Sequence, residues 1–136
     1  MKHALTLTVA LAALNPVPAS AQNAPYAGQE AREIKALSAE EIKQYQSGAG
    51  MGLARVAELN SFPGPQHVLE LAEHLDLSSE QRATTKRLMD AHKAEARAIG
   101  NKLVVAEREL DRLFAGGQMN EAALNTQVKA VAALHG

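Results

Sequence analysis

The chain has 136 residues, 46% hydrophobic but only 3% aromatic, so it holds one domain's worth of sequence and few large side chains to fill a core. Its 14 Lys and Arg face 15 Asp and Glu for a formal charge of −1, which gives no support to nucleic-acid binding, a function that normally shows a basic domain. Cysteine is absent, which excludes disulfides, thiolate metal sites and lipid attachment through a cysteine.

At the start, Lys2 and His3 precede an apolar stretch from Ala4 to Leu14, Pro16 and Pro18 end it, and Ala19-Ser20-Ala21 is an A-x-A cleavage signal. About 11 apolar residues are too few for a hydrocarbon core that takes about 20. Residues 1–21 therefore read as a secretory signal peptide, cleaved between Ala21 and Gln22, with an exported product and no membrane insertion. The mature chain would hold 136 − 21 = 115 residues, and the loss of Lys2 leaves 13 basic against 15 acidic side chains, a charge of −2.

Residues 22–37 are polar and Ala-rich without a sustained period, the pattern of a flexible N-terminal arm. Ser38 then stands three before Glu41, a capping box that predicts a short helix carrying Ile42 and Tyr45. The Gly48–Gly52 stretch interrupts it. No strand precedes these glycines and their spacing is not that of a dinucleotide or Walker loop, so nucleotide binding is set aside. Leu53, Val56 and Leu59 step by three in a second short helix, Phe62-Pro63-Gly64-Pro65 is a rigid turn, and a third helix is predicted from Gln66 to about Leu75.

The dominant element follows. Ser78 and Gln81 form a Ser-x-x-Gln capping box, and from Ser79 the chain carries neither Pro nor Gly except Gly100 until Gly116-Gly117. This predicts one amphipathic helix of about 37 residues, roughly 55 Å long. Met89, Ala96, Ile99, Leu103, Ala106, Leu110 and Leu113 fall on a seam with steps of three and four, the spacing of helix–helix packing. A last helix begins at the N-cap Asn120, and its short connection folds it back antiparallel on the long one. The predicted class is all-α, with residues 38–136 forming an elongated antiparallel helical hairpin.

Leu75 to Gln81, with Leu77, Ser78 and Gln81 at its defining positions, resembles the Leu-Thr-x-x-Gln signature of the Spy/CpxP superfamily, Ser78 standing where the signature has Thr. Gly50–Ala54, Asn60–Pro65 and His67–Ala72 are similar to a bacterial subgroup labelled periplasmic heavy-metal sensor or metal-resistance protein. The resemblance covers roughly Gly48 to Leu134. It implies a periplasmic, often dimeric, hairpin-like helical protein. It implies also one of three roles: an ATP-independent chaperone, an inhibitor of an envelope-stress sensor kinase, or a binder of zinc, nickel or cobalt. The last helix ends sooner than is usual in the superfamily, so a truncated C-terminus is also expected.

Two sets of residues are candidates for those roles. Arg82, Lys86, Arg87, Lys93, Arg97 and Lys102 stand against only Asp90 and Glu95 between Arg82 and Lys102. Long basic stems can lie over apolar surface with their charges wet, so Lys86, Arg87, Lys93 and Arg97, with Met89 and Ile99 beside them, make a surface that could hold unfolded proteins or a membrane sensor. For metal, Glu70 and His74 are i,i+4 on the third predicted helix, and His92 lies on the seam near Met89. Imidazole and carboxylate suit zinc, nickel or cobalt, with further ligands supplied by a second subunit. Few ligands are guaranteed by this spacing, and solvated His and Glu on an outer face account for the same pattern. No Ser/His/acid grouping has a supporting context, so a non-enzymatic protein that needs no cofactor is expected.

Overall fold

The computed structural model describes residues 25–117 and 120–135. The signal-peptide reading, with its cleavage site, lies outside them. Among the described residues every regular element is a helix: α1 (Ala39–Ser47), α2 (Arg55–Leu59), α3 (Pro65–Glu70), α4 (Ser79–Ala115) and α5 (Glu121–His135). The all-α class is thus as expected. The only bridge pairing in them is Ile34 with Leu37, inside a single turn.

Helix α4 begins and ends for local reasons. Ser78 Oγ accepts from the Gln81 N–H at 3.2 Å, and the Ser78 N–H donates to Gln81 Oε1 at 2.8 Å. Gly117, at φ +66°, takes the left-handed position just past the last turn. Ser38 and Glu41 cap α1 in the same reciprocal way. The Glu41 carboxyl is held below its ordinary value by the Ser38 hydroxyl first and the Ser38 N–H second. This contribution is present at neutral pH and is lost as pH falls through the lowered value.

Three successive turns share one chain-reversing pattern. A left-handed residue donates to the carbonyl three back while its successor reaches the carbonyl five back: Gly48 and Ala49 after α1, Ser61 and Phe62 after α2, Asp76 and Leu77 before α4. The third of these explains the Leu77-Ser78-x-x-Gln81 motif physically. Leu77 bonds to the carbonyl of Ala72, a buried residue, and Ser78 and Gln81 then start α4, so the motif is a joint between two elements. Ser78→Ala should cost about 1 kcal/mol, the usual value of an N-cap hydroxyl, read as a lower urea midpoint at unchanged slope.

Helix α4 is the axis, and α1, α3 and α5 each pack on it; among the described residues α2 packs on no other helix and touches α3 through the Glu58–His67 pair at 2.8 Å. The core is small. Ile34, Leu37 and Val104 form its centre, with Ile42 and Tyr45 against them, and Leu103, Ala106 and Ala72 are also buried. The Tyr45 phenol is held above its ordinary value, by burial first and then by the Glu41 and Glu107 carboxylates.

Two expectations are corrected. Residues 22–37, expected as a flexible arm, are docked on α4 over their described part. Ile34 is 0% exposed, the Lys35 N–H donates to Asp111 Oδ1 at 3.1 Å, and Arg108 pairs with Glu33 at 2.8 Å. Two apolar residues three apart in a turn suffice for this, with no helical period to advertise it. The third helix, expected to reach about Leu75, ends at Glu70, because Leu71 leaves helical geometry (φ −99°, ψ 14°) and the chain continues in turns to left-handed Asp76.

Candidate functional site

Where α1 ends, α4 passes beneath it at very short range. A Cβ on Gly100 would lie 2.1 Å from the Tyr45 carbonyl oxygen, so only glycine permits this crossing. Gly48 repeats the theme: it is left-handed (φ +68°), and a Cβ there would lie 2.9 Å from the Lys93 carbonyl. Beside this crossing lies a cavity of about 520 Å³. Helix α4 supplies His92, Glu95, Ala96, Ile99, Gly100 and Leu103 to it, α1 and the following turn supply Tyr45, Met51 and Leu53, and α5 closes one end with Ala133, Leu134 and His135. Its lining is mostly apolar with a few polar groups, the usual make-up of a binding cavity, and its volume is in the usual range. Two other depressions are less promising. In one, between α4 and α5, Glu109 and Arg112 satisfy each other at 2.6 Å; in the other, beside Tyr26, Lys35 is paired with Asp111.

The predicted site residues fall into different environments. Ile99 lines the cavity at 40% exposure, and Met89 is half-buried further along α4. Lys86 is paired with Asp90 at 2.7 Å and Arg87 donates to Thr84 Oγ1 at 2.9 Å. Arg97 Nε donates to the Ser47 carbonyl at 3.1 Å, so this guanidinium satisfies an open carbonyl at the C-terminus of α1 and complements its dipole. Lys93 is half-buried, with its carbonyl under Gly48. The basic stretch is therefore partly structural.

Among the metal candidates, Glu70 accepts from Gln66 Nε2 at 2.9 Å. His74 lies beyond the end of α3, in the turns, so the helical i,i+4 relation to Glu70 does not hold. His67 Nδ1 instead meets Glu58 Oε1 of α2 at 2.8 Å. His92 lines the cavity together with His135, which the spacing gave no reason to connect. No three His, Asp or Glu side chains among the described residues converge to hold an ion.

His135 and Glu107 were not legible as partners. Glu107 is 8% exposed on α4, and His135 Nε2 stands 3.6 Å from its Oε1 while the imidazole meets the Tyr45 ring edge-on at 6.0 Å. Gly100 did carry a signal. An isolated glycine inside a long helix costs about 1 kcal/mol against Ala and usually marks a close approach.

The chain matches no protein-family model, no curated protein and no solved structure. No helix among the described residues is long and apolar enough to cross a membrane.

Proposed function

We propose that this chain is a periplasmic, ATP-independent chaperone or envelope-stress adaptor of Spy/CpxP type, non-enzymatic, that binds unfolded proteins or a membrane sensor protein on a helical surface. The observation that carries the reading is the amount of large apolar surface left outside the core. Leu53, Val56, Leu59 and Phe62, each more than two-thirds exposed, line α2 and its flanks, where no other helix packs, and Leu53 also borders the cavity. Contiguous exposed apolar surface on a small domain ordinarily marks an interaction site. The Leu77-Ser78-x-x-Gln81 resemblance supports the same role. In this reading export follows cleavage after Ala21, α4 and α5 make an elongated antiparallel hairpin, and two copies pair as a homodimer.

The test is light scattering from a chemically denatured model client diluted into buffer without ATP. The mature protein in stoichiometric excess should suppress aggregation. Charge reversal at Lys86, Arg87 and Lys93 should slow capture most at low ionic strength, since exposed charges are screened beyond about 10 Å at 0.1 M salt. Absence of any protection by folded protein would refute the chaperone role.

A second reading, binding of zinc, nickel or cobalt, draws on His92 and His135 bordering one cavity, where no third His, Asp or Glu side chain converges with them. Imidazole nitrogens suit these ions, but a complete set would need ligands from another subunit. Calorimetric titration with each ion decides it. Binding weakened in His92→Ala supports the cavity site, whereas binding weakened only in Glu70→Ala or His74→Ala would locate it after α3.

A further inference from the structure

Helix α2 turns its large apolar side chains away from the rest of the molecule. Leu53, Val56 and Leu59 step by three, so they are neighbours along one face. The Phe62 N–H donates to the Ala57 carbonyl at 3.0 Å just past left-handed Ser61, and this reversal brings Phe62 back to the same helix end. All four residues are 71–80% exposed. At roughly 150–200 Å² for a whole residue of this size, they leave on the order of 500 Å² uncovered, near the top of the range for the largest apolar patch of a monomer. The charges around this face are few and balanced. Between Gly48 and Pro65 only Arg55 and Glu58 are charged, and Glu58 is already engaged by His67 at 2.8 Å.

We propose that this face of α2 is covered by the same face of a second copy, in a weak two-fold dimer that closes the surface until a client displaces the partner. The inference rests on the client-binding and homodimer readings above and adds where the copies meet and how the surface is regulated. The area favours a second copy. Two such faces together bury about 1,000 Å², the lower bound for a specific interface and the size of a transient one. A two-fold interface also needs a patch that complements itself. An apolar face flanked by one charge of each sign meets its copy without an excess of like charge. The same count disfavours an anionic lipid surface, whose recognition uses clusters of about four to eight basic residues. Because the dimer dissociates by mass action, dilute protein presents open faces and concentrated protein closed ones.

Sedimentation velocity of the mature protein should show a monomer–dimer equilibrium with a dissociation constant of roughly 1–100 μM, the weak end for an interface of this size. Val56→Glu and Leu59→Glu should each weaken it by about tenfold or more, because each sets a charge against the partner's apolar face. Val105→Glu, at an exposed position of α4, should leave it unchanged. Both α2 positions are at least 75% exposed, so the variants keep the fold, which circular dichroism checks. The chain has no cysteine, so Val56→Cys gives one thiol per copy. A short bismaleimide then joins two copies through α2, and the joined dimer should suppress client aggregation about tenfold less per protomer than the same variant capped with N-ethylmaleimide. Protein that stays monomeric to about 300 μM, or dimers unaffected by both α2 substitutions, overturns the inference even when clients are still protected. Monomers that co-sediment with phosphatidylcholine vesicles overturn it in favour of a lipid surface. A joined dimer that protects as well as the capped protomer overturns the closing of the surface. Dimerisation lost in both α2 variants, with no protection of clients by any form, keeps the interface and removes the chaperone role.

Discussion

Gly100→Ala is expected to destabilise the protein by about 3 kcal/mol, the upper end for overpacking a close contact. Helix propensity alone predicts the opposite, a gain of about 1 kcal/mol for replacing a mid-helix glycine. The crossing decides the sign. The added methyl would lie 2.1 Å from the Tyr45 carbonyl oxygen and 2.7 Å from its carbon, and these are backbone atoms that no rotamer change can move aside. Helix α1 would have to withdraw, taking Ile42 and Tyr45 off the Ile34, Leu37 and Val104 cluster. Urea unfolding followed by circular dichroism measures the change. A variant more stable than wild type would mean that α1 does not cross α4 there.

Ile34→Ala should cost about 3 kcal/mol, within the usual span for truncating a fully buried aliphatic side chain. Ile34 is 0% exposed although it lies in a segment without helix, and it holds the N-terminal turns against Val104. The surrounding ion pairs cannot replace it. Lys35 with Asp111 and Arg108 with Glu33 each keep one well-exposed partner, the Lys35 and Glu33 side chains at 54% and 70%, and such solvent-screened pairs contribute roughly 0–1 kcal/mol. Detachment of the segment should also appear as faster tryptic cleavage at Arg32 and Lys35. A neutral effect on stability and cleavage would show that the segment is not docked in solution.

Features encoded by local backbone chemistry were readable in advance. The 37-residue α4, its Ser78 capping box, the Ser38–Glu41 box of α1 and the Asn120 cap of α5 all satisfy open N–H groups with side chains a fixed distance along the chain. Features that depend on distant residues were not. Ile34 and Leu37 gave no period because a turn, not a helix, presents them to Val104. The end of α3 was hidden because the chain leaves helical geometry at Leu71, an ordinary helix former, and the reversal that follows uses a left-handed Asp76 where glycine would have been a signal. In the candidate site, Ile99 and His92 were legible from the α4 seam, whereas Met51, Leu53 and His135 come to them only through the α1–α4 crossing and the antiparallel return of α5. The contact of Arg97 was out of reach for a related reason: its Nε donates to the Ser47 carbonyl, 50 residues earlier in the chain.

The measurement that bears most directly on client binding is site-specific photocrosslinking. A benzophenone side chain is placed in turn at positions 53, 99 and 105 of the mature protein, which is mixed with a denatured model client and irradiated. Leu53 and Ile99 border the cavity and Val105 does not, although all three are exposed. Client adducts at positions 53 and 99, with little at 105, are the expected result. Adducts of equal yield at all three positions, or none at any, would contradict capture of clients on this surface.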